Sequence, residues 1–367
     1  MENHQYPFYT GINMTERKKS ASGEDFDLTL FARGKNAVQL SINGNCRFYL
    51  GRVTLEEKFS ETGSLEKKLR RHDSADMLTV GLESLNILPF GCEYAIARDF
   101  EIADGFAVFS EDISAMHFGR VGSLELEPLT FTGTPAEVEY ITAGEKKFRK
   151  VVLDREKEIY NSTSPLLLLK VSWADGSAVE YSVGTDYWRH CAAENVKEAS
   201  SEFTLYFDGK DLVYNRRVLI YSAEAEPEKR PWRFKNLLSW NSGTPSHAPE
   251  AESSFAVPGC QVDPAARRTV RKKVRSARGN IAMLNASPCI CSEAAHVERP
   301  GRTGFTHFDL AEYVAFHMWA NRQLKKSGGS LVIKPAEKTI FNQTVTMQNL
   351  QRVPRPLTCN YEEEEDV

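Results

Sequence analysis

The 367-residue sequence contains no apolar run approaching the roughly 20 residues that a membrane-spanning helix needs. No membrane partner is therefore expected. The first ten residues, MENHQYPFYT, lack a basic stretch followed by an apolar one, so they do not read as a secretory leader. Cysteine is scarce. Seven scattered residues, an odd number, argue against a disulfide framework and for free thiols in a reducing compartment. Cytoplasmic is the default expectation, and the Asn161-Ser162-Thr163 sequon is the feature that fits secretion instead. Neither sign of charge prevails: 46 Lys and Arg stand against 50 Asp and Glu, a net charge of −4. No whole-chain attraction to nucleic acid or anionic lipid follows.

Catalytic signatures are missing as well. There is no G-x-S-x-G or H-E-x-x-H, and GRTG at 301–304 lacks the Lys-Ser/Thr ending of a phosphate loop. No cofactor is implied. His117 and His190 stand apart from any nucleophile motif. Acidic pairs such as Glu111-Asp112, or Asp186 with Glu194, are present. Spacing along the chain does not establish the separation of about 5 to 9.5 Å that glycoside hydrolysis requires.

What the chain does have is turns between β-type runs. Asn43-Gly44, Asp104-Gly105, Asp175-Gly176 and Asp208-Gly209 each lie between stretches rich in Val, Ile, Leu, Phe and Tyr. Both residues of such a pair accept positive φ, which a type I′ hairpin demands. AVQLSINGNCRFYL, FEIADGFAVF, LKVSWADGSAVEYSV and FTLYFDGKDLVY therefore read as hairpins, and GSLELEPLTF and AEVEYITA as further strands. Helix signals before residue 222 are few: 64–72, and a short piece near 192–200. The expected fold is mainly β, one or two tandem antiparallel β-sandwiches with a smaller mixed, partly helical C-terminal region. Residues 25–118 form one module and 119–222 a second, or the second half of one larger sandwich.

Beyond Tyr221 the composition changes. Residues 223–262 read as a linker, 263–360 as a small α+β region and 361–367 as an acidic tail. One helix opens at Asp263-Pro264 and closes at Gly279. A second has Thr306 and Asp309 in a capping-box arrangement, Lys325-Lys326 at its end, and Gly328 as its stop. Leu310, Tyr313, Val314, His317 and Leu324 share one side of it, and Phe316 and Trp319 widen the apolar surface enough to imply burial. SLVIKPAEKTIF and TVTMQ return to a strand-like pattern.

The segment from 166 to 217 carries a family resemblance. An apolar strand, Asp175-Gly176-Ser177, a second strand, then Gly184-Thr185-Asp186 and Trp188 resemble a β-sandwich module of bacterial α-L-rhamnosidases. LSINGNCRFYLG, with Asn43-Gly44, is similar to another sandwich module of those enzymes. YFDGKDLVYNRR departs from the Gly-Glu and Tyr-Asp-Ala-Arg pattern of such modules: Lys210 follows Gly209, and Tyr214-Asn215-Arg216 is an echo only. The resemblance implies an accessory fold of sugar enzymes. It does not bring their catalysis, because the family's carboxylates belong to a large helical barrel that the stretch after Tyr221 does not supply.

Candidate binding residues follow from side-chain chemistry. Trp188, Trp173 and Trp232 can offer an indole face to a sugar ring, with Asp186 and Arg189 as polar neighbours; alternatively, Trp173 and Trp188 are packing residues of the sandwich. A basic run, Arg267, Arg268, Arg271, Lys272, Lys273, Arg275 and Arg278, wraps a helix around the apolar edge Val270 and Val274. It can contact nucleic acid phosphates or remain a solvated face. Cys289, Cys291 and His296, with Cys260 and His307 farther off, are weak zinc candidates, since Cys-x-Cys is tighter than the usual ligand spacing. The expectation is a non-catalytic carbohydrate-binding or accessory protein with no catalytic residue assigned. The alternatives are a structural or protein-interaction sandwich whose basic helix touches nucleic acid, and a degenerate or truncated glycosidase.

Overall fold

The computed structural model describes residues 18–31, 36–51, 54–56, 63–74, 77–87, 93–117, 123–142, 145, 147–163, 165–183, 202–218, 232–243, 250–257, 264–285, 296–299, 302–306, 310–334, 344–350, 352, 355 and 357–362. The chain begins with β1 (Lys18–Ser22), β2 (Phe26–Phe31), β3 (Asn36–Ile42), β4 (Asn45–Gly51) and β5 (Thr54–Glu56). Long strands follow: β6 (Gly63–Ser74), β7 (Met77–Ile87), β8 (Glu93–Ala103), β9 (Phe106–His117) and β10 (Ser123–Phe131). Next come β11 (Glu137–Ile141), β12 (Arg149–Val152), β13 (Lys157–Ser162), β14 (Leu168–Ser172), β15 (Ala178–Val183), β16 (Glu202–Phe207) and β17 (Leu212–Val218). The remainder contains β18 (Trp232–Asn241), β19 (Ser253–Val257), α1 (Pro264–Ser276), β20 (Ile281–Asn285), β21 (His296–Arg299) and β22 (Arg302–Thr306). It ends with α2 (Leu310–Lys325), β23 (Leu331–Lys334), α3 (Val345–Leu350) and β24 (Thr358–Glu362).

The protein is mainly β. A ten-stranded sheet has the order β13-β16-β17-β10-β4-β3-β2-β1-β24, with β5 also on β10, and a nine-stranded sheet runs β12-β11-β14-β15-β18-β9-β8-β7-β6. Every pairing within these two sheets is antiparallel. Both draw strands from either side of residue 118. Between them lies a core in which Trp240 of β18 meets Phe26 of β2 at 4.8 Å between ring centroids. Tyr181 of β15 approaches Tyr214 of β17 at 6.4 Å.

All four expected hairpins form. Only the first has the expected turn, with Asn43 at φ 50 and Gly44 at φ 75. In the other three the glycine alone has positive φ, and in two of them the Asp side chain accepts the N–H groups of the turn instead. Asp208 Oδ1 takes the N–H groups of Lys210 and Asp211 at 2.8 and 2.7 Å, and Asp175 Oδ1 takes that of Ser177 at 3.0 Å. These are Asx-type closures, which need no left-handed Asp.

Four local expectations are corrected. Residues 64–72 lie in β6, a strand paired along β7, so a helix-favouring composition yields to ladder pairing. TVTMQ lies in the short helix α3 and the turn before it, where Thr344 Oγ1 accepts the Met347 N–H at 3.4 Å as an N-cap. The stretch read as a linker contains β18, which sits between β15 and β9 with both faces covered: residues 236–241 are all buried. Polar Asn236, Ser239 and Asn241 hide that burial from a hydropathy pattern. The start of the acidic tail belongs to β24, which pairs β1 at the sheet edge. Residues 192–200 lie outside the described residues.

The C-terminal region adds a parallel sheet, β19-β20-β23, with α1 between its first two strands and α2 before its third. α2 packs against α1, β23 and the outer face of β15, β18 and β9. Its wide apolar surface is buried as the sequence implied, from Leu310 and Val314 to Leu324. It ends in a Schellman closure, with Gly329 N–H on Leu324 O and Gly328 N–H on Lys325 O, both at 3.0 Å.

Candidate functional site

Trp173 is 4% exposed. Its indole N–H donates to Thr132 O at 2.9 Å, and the Arg47 guanidinium covers its ring at 5.0 Å. Arg47 is held in turn by Asp175 and by Gly133 O. Burial is the largest influence on Asp175 and raises its pKa, but hydrogen bonds from Ser177 and the Arg47 charge together hold it below the ordinary carboxylate value. This corrects the reading of Trp173 as a sugar platform, because its face and its N–H are both already occupied inside the protein. Trp188, Asp186 and Arg189 lie outside the described residues, and of Trp232 only the strand position is described.

The echo motif is structural too. Arg216 is fully buried between the sheets and donates to Tyr181 Oη at 3.0 Å; Tyr181 donates to Asn236 Oδ1 at 2.6 Å, and Asn236 reaches Glu111 at 3.5 Å. Tyr214 Oη accepts the Leu166 N–H at 2.9 Å. These groups tie one sheet to the other.

On α1, Arg268, Arg271, Lys272, Lys273, Arg275 and Arg278 are exposed, or just past its end, while Val270 and Val274 are buried. Arg271 and Arg275 lie over the Trp319 ring of α2, each at 5.8 Å, so part of the basic run packs the two helices together. The Arg267 side chain is not among those described. Cys289 and Cys291 are outside the described residues, and of His296 only its place at the start of β21 is described. Among the described residues no cluster of three His, Cys, Asp or Glu side chains could hold a metal.

The arrangement with chemical potential lies elsewhere, on the outer side of the nine-stranded sheet. The β8–β9 hairpin, α2, β23 and α3 enclose a cavity of about 60 Å³. By the water-sized measure this is room for roughly four to six small groups. Phe106, Met318, Leu331, Ile333 and Leu350 supply its apolar wall; Asp104, His317, Asn321, Asn349, Arg322, Lys325 and Arg352 supply polar groups.

Each polar group is placed by its element. Asn349 of α3 donates to both Gly105 O and Trp240 O at 2.8 Å, which fixes the hairpin tip against β18. A Cβ at Gly105 would come 2.7 Å from Asn349 Nδ2, so the glycine is required for close approach as well as for its φ of 82. Asn321 Oδ1 accepts the Leu331 N–H at 3.3 Å and ties β23 to α2. His317 is 2% exposed and its ring lies tilted against that of Tyr313, 4.1 Å between centroids. Burial lowers its pKa to about 3, so the ring is neutral, one nitrogen a donor and the other an acceptor. Both ring nitrogens, Asn349 Oδ1 and Arg322 Nε are buried without a hydrogen-bond partner among the described residues.

Beneath α3 lies a second titratable group. Glu180 of β15 is 1% exposed and accepts the Val345 N–H at 3.0 Å and the Thr346 hydroxyl. Desolvation pushes its pKa up to about 7, partly offset by Thr346, by the Lys170 charge and by the Val345 N–H. Sequence reading missed this group and Asn349; neither carries a local signal. His317 was legible only as part of an apolar helix face.

No family model matches the chain, and no curated protein matches it. Solved structures similar to it include glycoside hydrolases. The α-N-acetylgalactosaminidase NagBb of Bifidobacterium bifidum, in complex with GalNAc, is 10% identical over 86% of this chain and 58% of its own, with a TM-score of 0.40. A variant of a glycoside hydrolase family 97 enzyme from Pseudoalteromonas sp. strain K8 is 8% identical over 85% of this chain and 53% of its own, with a TM-score of 0.37. The Slr1438 protein of Synechocystis sp. PCC 6803 is 9% identical over 63% of this chain and 99% of its own, with a TM-score of 0.38. The chain spans little more than half the length of the two hydrolases. None of these three is named as a rhamnosidase. Among the described residues, no helix is long and apolar enough to cross a membrane.

Proposed function

We propose that the chain is a non-catalytic carbohydrate-binding or accessory protein, and that the cavity beside His317 holds one sugar residue. The observation that carries this reading is the pairing of an apolar wall with four buried polar atoms that lack partners among the described residues, on His317, Asn349 and Arg322. Buried polar atoms are ordinarily satisfied, and a concave site with few convergent polar groups is the usual form of a small-molecule pocket. A pyranose presents both halves of that chemistry, C–H faces and hydroxyls that donate and accept. The cavity volume suits part or all of one ring, not a chain of them.

The absence of catalysis rests on the carboxylate count of the lining. Asp104 is the one carboxylate among the described lining residues, and Arg355 holds it. Glycosidases of the common kinds need two. The resemblance of residues 166–217 to rhamnosidase accessory modules supports the same reading.

Titration calorimetry of the intact chain with a panel of mono- and disaccharides tests it. Binding by at least one sugar, abolished by a cavity-filling Met318→Trp variant that keeps its thermal transition, is the expected outcome. A panel that is silent at 10 mM of each sugar overturns the proposal, as does binding that the filled variant retains.

A further inference from the structure

We propose that Asn349 is a specificity-determining residue of this pocket: its Oδ1 reads one sugar hydroxyl as a hydrogen-bond donor, so the ligand is a sugar with that hydroxyl free. This rests on the cavity being the sugar site.

The orientation of the Asn349 amide is set by what its nitrogen meets. Nδ2 lies 2.8 Å from two acceptors, Gly105 O and Trp240 O. An amide NH2 carries two hydrogens, and both are used there. Turning the amide over would set Oδ1 against two carbonyl oxygens with no hydrogen between them. The free atom is therefore the oxygen, and it can only accept. It is buried with no hydrogen-bond partner among the described residues, on a side chain that is 3% exposed and lines the cavity. The helix that carries it is held on either side of this residue's turn. Gln348 accepts from Asn241 Nδ2 at 2.8 Å, and Glu180 accepts the Val345 N–H at 3.0 Å.

The other unpartnered atoms are less selective. Arg322 Nε–H donates, and neutral His317 offers one donor and one acceptor. The His317 tautomer can adapt to the group it meets, whereas the Asn349 amide cannot. Hydroxyls, which both donate and accept, satisfy all of these atoms. An ether, a carbonyl, a carboxylate or a fluorine beside Asn349 Oδ1 leaves a buried acceptor facing another acceptor. A site built to hydrogen-bond a hydroxyl discriminates strongly against the analogue that lacks it, because the protein atom is left unpaired.

The test is titration calorimetry of the intact chain with glucose, galactose and mannose, and with the monodeoxy and monodeoxyfluoro forms of those that bind. Fluorine keeps the size and a weak acceptor but has no hydrogen to give. At one ring position both replacements should weaken binding at least about tenfold, the worth of one hydrogen bond to a buried atom. In Asn349→Ala that penalty should shrink to less than about twofold, the scatter expected of uncoupled changes, while penalties at other positions persist. Where the alanine variant loses its thermal transition or its binding, a crystal structure of the unmutated chain with the sugar reads the same contact. The hydroxyl at that position should then lie within hydrogen-bond reach of Asn349 Oδ1. Fluorine tolerated at every position overturns the inference and leaves the sugar reading standing. A penalty undiminished in Asn349→Ala, or a complex in which no hydroxyl faces Oδ1, does the same. Silence of glucose, galactose and mannose overturns the inference, and silence of the whole sugar panel overturns the sugar reading with it.

Discussion

Arg355 grips Asp104 through two hydrogen bonds, Nε to Oδ2 at 3.0 Å and Nη2 to Oδ1 at 3.1 Å, across 251 positions of sequence. The Asp104 side chain is 1% exposed and that of Arg355 is 32% exposed. The backbone N–H of Arg355 adds a third contact to Oδ2 at 3.3 Å. An Asp that local reasoning assigns to a turn is thus an anchor joining the tip of the β8–β9 hairpin to the C-terminal segment. Removing the guanidinium leaves a buried carboxylate unpaired. Arg355→Ala should lower the unfolding free energy by about 3 kcal/mol in urea titration. Arg355→Lys, which keeps the charge but not the fork, should lose less. An alanine variant as stable as the parent would show that the anchor carries no weight.

Glu180 and His317 should shape the pH dependence of stability in opposite senses. The folded pKa of Glu180, about 7, lies above its ordinary 4.5. The unfolded chain therefore releases this proton first, and stability falls as pH rises from 4.5 through 7. The full cost is on the order of 3 kcal/mol. The folded pKa of His317, about 3, lies below its ordinary 6.5. Here the unfolded chain binds the proton first, so stability falls as pH drops from 6.5 towards 3. Between 4.5 and 6.5 the two slopes oppose each other and the profile should be nearly flat. Glu180→Gln should expose the acid-side slope of His317 across that window, and His317→Phe the opposite slope. Chemical unfolding at half-unit pH steps measures both; parallel profiles for all three proteins would refute the assignment.

Trp173 should behave as a structural residue. Trp173→Phe loses the indole donor to Thr132 O and should cost about 1 to 2 kcal/mol. Affinity for any sugar that binds the intact chain should not change, because the residue is not among those lining the cavity. A weakened affinity in calorimetry would reinstate it as a binding residue.

The junction of α1 and α2 makes a steric prediction. A Cβ on Gly329 would lie 1.9 Å from the Gly279 carbonyl oxygen, whereas one on Gly328, at φ 76, meets nothing within 4 Å. Gly329→Ala should cost about 3 kcal/mol through overpacking against backbone. Gly328→Ala should cost about 1 kcal/mol through its left-handed conformation alone. Thermal melts should rank the two in that order.

Each hairpin was legible because its closure is local. At Asn43-Gly44 and Asp208-Gly209 the turn is decided by the conformations and hydrogen bonds of four or five neighbouring residues. The end of α2 was legible for the same reason, since Gly328 and the cations before it act within one turn. β6 and α3 were misread where local preference and long-range pairing disagree. The run LEKKLRRH favours a helix in isolation and is a strand because β7 pairs along its length. TVTMQ has strand-like residues, yet Val345 and Thr346 turn into a helix whose first groups meet the buried Glu180 carboxylate. The candidate pocket was the least legible of all. Its groups come from Asp104, His317, Arg322, Asn349 and Arg352, spread across most of the chain.

By itself, the sequence determined that this protein is mainly β, where its tight turns fall, where α1 begins and where α2 ends. These follow from side-chain periodicity and turn chemistry, which act over a few residues. The capping box read at Thr306 and Asp309 did not locate the start of α2, since Thr306 closes β22 and α2 starts at Leu310. Only the tertiary structure decided that β18 fills the middle of a sheet, that both large sheets mix early and late strands, and that Trp173 is sealed by Arg47. It alone decided that Glu180 is buried beneath α3 and that the buried His317 lines a cavity with Asn349 and Arg322. Burial and desolvation depend on what packs against a residue from elsewhere in the chain, and no local pattern encodes that partner.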